Sequence, residues 1–227
     1  MPTIVRPGPL PPAGDLARTL YASVLSDVLD EMGYRNQALR PFVRPLDESL
    51  VLCGYARTGL YRPVHHVEAG RNPYEIEIAL IDSLERDDVA VLACGGPTER
   101  IAPWGELLTT ASRARGAAGC ITDGLVRDVR LIREMGFPVF AGGIGPLDSK
   151  GRAEMAQMDV PVEIAGVLVE PGDLVFGDVD GCVIVPRAVA GEAIGRALDK
   201  AQAEDSTREA LARGESLAAV FARLGVL

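Results

Sequence analysis

Residues Asp15 to Met32 set Leu16, Leu20, Val24, Leu25, Val28 and Leu29 at helical spacing, and the pattern stops before Gly33. This predicts one amphipathic helix. Leu50 to Tyr61 carries Val51, Leu52, Tyr55 and Leu60 and predicts one long strand or a strand pair. Asn72-Pro73 opens a helix predicted over Tyr74 to Leu84. The unbroken apolar run Val89 to Cys94 then predicts a buried strand, closed by Gly95-Gly96-Pro97. A helix from about Pro103-Trp104-Gly105 to Arg115, a strand over Ala118 to Thr122, a short helix from Arg127 to Met135 and a strand over Pro138 to Ala141 follow.

That alternation of strands and helices argues for parallel pairing in a βαβ-type layer. The pattern then changes. Gly142 to Met158 is Gly-rich and of mixed charge, which predicts a loop. Four short strands follow over Val160–Ile164, Gly166–Val169, Leu174–Gly177 and Cys182–Val185. Pro171-Gly172-Asp173 and Asp178-Val179-Asp180-Gly181 separate them as turn signals. A long helix is predicted over Arg187 to Arg213, with a break at Gly214 and a last turn or two from Ser216. The fold class is α/β: one compact domain over residues 1–227, mixed β layers flanked by helices, an extended arm at residues 1–13 and a C-terminal helical segment at residues 187–227.

Composition narrows the function. A chain of 227 residues with 48% hydrophobic content can bury one sizeable core. The net charge of -9 argues against a nucleic-acid partner, which calls for a basic footprint. The apolar runs are strand-length, so no membrane span is expected, and the start of the chain lacks the zones of a signal peptide. Cys53, Cys94, Cys120 and Cys182 lie far apart with no C-x-x-C pair, as expected of reduced core thiols in a cytoplasmic protein. The only lysines, Lys150 and Lys200, lack an apolar setting for Schiff-base work. Adjacent His65 and His66 cannot form a three-histidine zinc site, so any catalytic metal is expected to be oxygen-ligated, as Mg²⁺ or Mn²⁺.

The candidate chemistry lies between Gly105 and Asp128. Twenty residues separate Glu106 from the Arg127-Asp128 pair, enough for one helix out and one strand back. Such a path brings an acid and an Arg-Asp pair together beside a helix N-terminus, whose free N–H groups attract carboxylates. Gly105 removes a side chain where a ligand could approach, and the amides of Glu106, Leu107 and Leu108 would be first-turn donors. The plain alternative is an ordinary acidic helix start, with Asp128 capping the following helix at about 1 kcal/mol. Trp104 either walls such a pocket or packs in the core. His65 and His66 are either a loop or strand-end pair, or one of them is a substrate contact or general acid.

These residues make the chain resemble the RraA-like family, which includes class II pyruvate aldolases acting on 4-hydroxy-4-methyl-2-oxoglutarate and 4-carboxy-4-hydroxy-2-oxoadipate. The enzymes of that family carry an acidic residue, twenty intervening residues and then Arg-Asp, here Glu106 and Arg127-Asp128, with Gly105 before and Leu107-Leu108 after. Ser26-Asp27-Val28-Leu29-Asp30, Met135 to Phe140, and Pro161 to Pro186 also look like family segments.

The resemblance implies a swivelling β/β/α-type fold and a ring-shaped homotrimer or homohexamer. It implies that Asp128 ligates the cation directly and that Glu106 holds metal-bound water. Arg127 would face the keto or leaving hydroxyl oxygen, and the amides near Leu107 and Leu108 would bind the pyruvate carboxylate. Asp27 and Glu204 of a neighbouring subunit would complete the water shell. The implied reaction cleaves a 4-hydroxy-2-keto acid to pyruvate through an enolate, a water-assisted base taking the 4-hydroxyl proton, and the same site could decarboxylate oxaloacetate. Two departures stand out: the family's aspartate after the glycine is Glu106 here, and Tyr61 to Asp82 does not look like the aldolases. The family also holds non-catalytic regulators that inhibit an RNA-degrading endonuclease; those lack the aspartate of the Arg-Asp pair, which this chain keeps as Asp128.

Overall fold

The computed structural model describes residues 4–225; residues 1–3 of the expected arm and 226–227 of the C-terminal segment lie outside it. The chain opens with α1 (Ala13–Thr19) and α2 (Ala22–Glu31) where one helix was expected. Leu20 and Tyr21 are extended between them, with φ of -100° and -141°. The break has a tertiary cause: the Ala22 amide donates to Asp178 Oδ2 at 2.7 Å, so a carboxylate from far along the chain caps the second helix.

The βαβ rhythm is present. Strands β2 (Leu52–Pro63), β3 (Asp88–Ala93), β4 (Gly119–Val126) and β5 (Val139–Ile144) run parallel and adjacent. Helices α3 (Glu75–Asp82), α4 (Glu106–Ala114) and α5 (Val129–Met135) connect them in turn. Along β3, Ala90 and Leu92 face one apolar cluster with Leu80, Trp104 and Ile132. Val89, Val91 and Ala93 face the other, with Phe140, Val162 and Val169. This is the period-2 division expected of a strand buried on both faces.

Beyond β2 the sheet turns antiparallel. Short β1 (Arg44–Pro45) flanks β5 at one edge, while β9 (Leu174–Asp178) and β10 (Gly181–Val185) extend the other. A second hairpin, β7 (Val162–Ile164) and β8 (Val167–Val169), packs across the face opposite α3–α5. The expected loop over Gly142–Met158 is partly strand: β5 runs on to Ile144, and β6 (Ala153–Met158) pairs antiparallel with the far half of β2. Its burial alternates, with Ala153 and Met155 inside, so pairing with β2 rather than local apolar density makes it a strand.

The two sheet edges approach each other. The Arg44 guanidinium donates to the Val179 and Asp180 carbonyls in the β9–β10 turn at 2.7 and 3.1 Å, so the mixed sheet is nearly barrel-like. Long α6 (Ala190–Ala212) and α7 (Leu217–Leu224) complete the chain. α6 packs with α2 over β9 and β10 through Ala193, Ile194 and Ala197, forming a third cluster with Leu25, Leu29 and Phe176.

Candidate active site

The cleft lies where β4 ends and α4 begins. Trp104 forms a parallel bridge with Val126, and the Arg127 amide donates to the Trp104 carbonyl at 3.0 Å. This zips the segment before α4 to the end of β4 and sets Gly105 against the Arg127-Asp128 pair. A Cβ on Gly105 would sit 2.8 Å from Asp128 Oδ2 and 3.1 Å from Arg127 Nε. Gly105 itself is extended, with φ of -155°, so close approach rather than backbone strain calls for glycine here.

Asp128 adopts φ of 60°, a left-handed geometry that Asp tolerates better than most residues. The side chain does not cap α5. Instead Oδ2 turns to α4 and accepts the Glu106 amide at 3.2 Å. The first turn of α4 thus has a carboxylate at its head, and Leu107 and Leu108 follow with no preceding carbonyls for their amides.

Arg127 is held loosely. Its NH2 lies 3.8 Å from Asp148 Oδ1, its Nε lies 3.9 Å from Asp128 Oδ2, and Nε is buried without a hydrogen-bond partner among the described residues. A buried, unsatisfied guanidinium N–H costs free energy, and a ligand oxygen would relieve it.

A cleft of about 340 Å³ opens beside these groups, lined by Gly105, Leu107, Leu108, Arg127 and Asp128 and walled by Tyr74, Glu77, Asp148 and Trp104. Trp104 is fully buried, donates to Thr109 Oγ1 at 2.8 Å and stacks on Phe137 at 6.3 Å, so it serves as core and as cleft floor together. Tyr74 donates to Asp148 Oδ2 at 2.7 Å. Burial and this bond push the Tyr74 phenol up to about 12. Burial opposes the Asp148 charge, yet the Tyr74 hydroxyl, the Lys150 amide and Arg127 together hold that carboxyl below its usual range. Glu77 accepts from the buried Tyr61 hydroxyl. Burial raises Glu77 to about 7; the Tyr61 bond and Arg127 oppose the rise, and Asp148 adds to it.

Not every residue singled out in the sequence gathers here. The Glu106 side chain accepts from Thr110 Oγ1 at 2.8 Å, one turn along its own helix, and does not line the cleft. Asp27 and Glu204 belong to the α2–α6 pair, where Lys200 holds Asp27 at 3.1 Å and the Tyr21 hydroxyl bonds Glu204. His65 Nδ1 lies 3.1 Å from Arg100 NH2 in the loop after β2, and His66 lines a separate pocket with Arg62 and Arg71. The loop-pair expectation fits that placement. The cysteines are free, and burial raises Cys53 to about 12.

Sequence reasoning missed Glu77, Asp148 and Tyr74 as cleft residues, and Tyr61 as the buried partner of Glu77. For Glu77 the signal was present: it shares the buried stripe of α3 with Leu80 and Ile81, where a carboxylate is out of place.

Comparison with known proteins places this architecture. Residues 22–184 match the RraA-like family model, described as Aldolase/RraA. The chain belongs to the RraA-like family. It is 32% identical over 192 residues to a Halalkalibacterium halodurans protein provisionally named a 4-hydroxy-4-methyl-2-oxoglutarate aldolase, covering 85% of this chain and 84% of that one. It is 30% identical over 193 residues to the Legionella pneumophila protein DlpA, and there it spans 85% of itself but only 30% of the relative's length. Among solved structures, Streptomyces coelicolor RraAS2, titled an unusual member of the RNase ES inhibitor RraA family, superposes with a TM-score of 0.75 at 30% identity. That match covers 88% of this chain and 99% of RraAS2. No helix among the described residues is long and apolar enough to cross a membrane.

Proposed function

We propose that this chain is a carbon–carbon lyase that cleaves a 4-hydroxy-2-keto acid to pyruvate with the help of a divalent cation, and that the same cleft decarboxylates oxaloacetate. The observation that carries the reading is the buried, unpartnered Arg127 Nε beside Gly105 and Asp128 at the mouth of a helix. In this reading the first-turn amides at Leu107 and Leu108 receive the substrate carboxylate, gaining charge-assisted bonds and the helix-end field. The Arg127 guanidinium faces the oxygen on which negative charge grows, where a preorganised donor lowers the barrier most. The Leu108 and Trp104 side chains shield the reacting carbons from bulk water on the side of the core.

The donor set suits a hard cation. Among the described residues no group of three or more His, Cys, Asp or Glu could hold a metal, which disfavours a closed zinc site. Asp128 is a single carboxylate facing an open cleft, as suits Mg²⁺ or Mn²⁺, which keep several waters and take one or two carboxylates plus substrate oxygens. When bound, such a cation supplies Lewis-acid polarisation of the 2-keto acid. Asp128 would hold it directly, with Glu106, and Asp27 and Glu204 of a neighbouring copy in a trimer or hexamer, reaching it through water.

The test is release of pyruvate from 4-hydroxy-4-methyl-2-oxoglutarate and from oxaloacetate by purified protein, with Mg²⁺ or Mn²⁺ and with a chelator. Metal-dependent pyruvate is the expected result. Likeness to RraAS2 favours a second reading, a protein-binding regulator of ribonuclease activity. Absence of turnover with either metal, together with inhibition of a ribonuclease, would establish that reading instead.

A further inference from the structure

We propose that Glu77, gripped by the Tyr61 hydroxyl on the inner wall of the cleft, is the proton carrier of the lyase reaction. This rests on the aldolase reading above and supplies the base that reading lacks. Glu77 is 7% exposed, yet it lines the same cleft as Arg127 and Asp128. It projects from the stripe of α3 that also buries Leu80 and Ile81. A carboxylate in that position is costly unless it has a use, and an apolar side chain would pack there more favourably. Its hydrogen-bond donor among the described residues is Tyr61, from β2.

The charged and titratable groups facing Glu77 are Tyr61 from β2, Asp148 from the loop before β6 and Arg127 from the end of β4; Tyr74, at the head of α3, is turned to Asp148. Among the described residues the cleft lining holds no histidine and no lysine. Asp148 already accepts from Tyr74 and leans on Arg127, which makes it a poor proton acceptor. Burial holds the Glu77 carboxyl at about 7, the range in which a general base both ionises and accepts a proton at neutral pH.

The step balances without another reagent. The 4-hydroxyl proton passes to the Glu77 carboxylate while the C3–C4 bond breaks. The O–H electron pair becomes the carbonyl of the departing aldehyde or ketone, and the C3–C4 pair becomes the enolate of pyruvate. Glu77 then returns its proton to C3, giving pyruvate and regenerating the carboxylate. Decarboxylation of oxaloacetate differs: carbon dioxide leaves with no hydroxyl proton to remove, so bond cleavage there does not call on Glu77.

That difference provides the experiment, made on the full chain with Mn²⁺. Exchange of pyruvate methyl protons in deuterium oxide reads proton transfer at C3, whatever the natural substrate carries beyond C3. First-turnover release of carbon dioxide from oxaloacetate reads the rest of the site. Glu77→Gln should slow exchange about 100-fold, while first-turnover release of carbon dioxide from oxaloacetate, which precedes protonation of C3, stays within about threefold of native. Tyr61→Phe should keep exchange and move its pH limb upward, because the lost hydroxyl no longer favours the charged carboxylate.

Native-rate exchange in Glu77→Gln would overturn the role and leave the lyase reading standing. An equal fall in both assays would overturn it too, by marking Glu77 as structural. Should Glu77→Gln fail to fold, an unmoved pH limb in Tyr61→Phe would refute the proposal by itself. A native chain silent in both assays defeats the lyase reading, and this role with it.

Discussion

Arg57 and Arg127 each stand between two aspartates, and the molecule treats them oppositely. Arg57 is saturated. Its Nε and NH2 bond Asp159 at 2.9 Å each, NH1 reaches the Ser83 carbonyl at 2.8 Å and Asp88 at 3.2 Å, and NH2 bonds Ser83 Oγ at 2.7 Å. Arg127 has carboxylates at 3.8 and 3.9 Å, and its Nε is buried without a partner. The first cluster ties β2 to the ends of its neighbours and has no donor to spare. The second carries the same charges at the lip of a cleft with its donors unspent. Satisfaction of hydrogen bonds, more than residue type or burial, separates a structural arginine from one poised for a ligand.

The sharpest way to break this contrast is to remove the saturated member. Arg57→Ala leaves the buried Asp159 carboxylate without its counter-ion and Asp88 with Arg6 alone, and should cost about 3–5 kcal/mol of stability by urea denaturation. A loss below about 1 kcal/mol would mean the two clusters are not different in kind.

Arg127→Ala should do the reverse. We expect kcat for pyruvate release to fall about 10²–10³-fold, with unfolding free energy within about 0.5 kcal/mol of native. Turnover comparable to native would remove Arg127 from the chemistry.

A third test concerns pH. Glu77 sits at about 7 in the folded chain against 4.5 for an ordinary glutamate, so the folded state keeps a proton that the unfolded chain releases. The Glu77 contribution to stability should therefore be full below about 4.5 and be lost as pH rises to about 7, about 3 kcal/mol in all. Glu77→Gln should flatten that decline, as read from denaturation midpoints across the window.

The smallest effect is expected at Gly105. Gly105→Ala puts a methyl 2.8 Å from Asp128 Oδ2, which displaces the pair without removing a charge. Misplacement of this kind should lower turnover about tenfold. An unchanged rate would show that the close approach has no consequence.

Much of this was legible in the chain. Val89 to Ala93 reads as a strand because both of its faces are apolar, and Gly136, at φ of 61°, ends α5 where a glycine should. The Glu106–Arg127 spacing matched a helix out and a strand back, and Gly105 and Arg127-Asp128 do converge. What escaped depended on distant partners. The break before Ala22 needs Asp178, 156 residues away. Strand β6 needs the far half of β2. The strand predicted over Ala118–Thr122 stopped short of Asp123, which is fully buried in β4 and accepts the Cys94 and Gly96 amides at 2.6 and 2.7 Å, bracing the loop after β3. Of the cleft walls, Glu77 left a trace in the buried stripe of α3, while Asp148 stayed hidden because it lies in a segment read as loop, whose path past Arg127 is set only once the sheet is assembled.

The most direct measurement is a crystal structure of the full chain with Mn²⁺ and oxalate, a planar mimic of the pyruvate enolate. Oxalate should lie between the first turn of α4 and the Arg127 guanidinium, with the cation on Asp128. Oxalate and Mn²⁺ bound elsewhere, with Arg127 and Asp128 untouched, would contradict it.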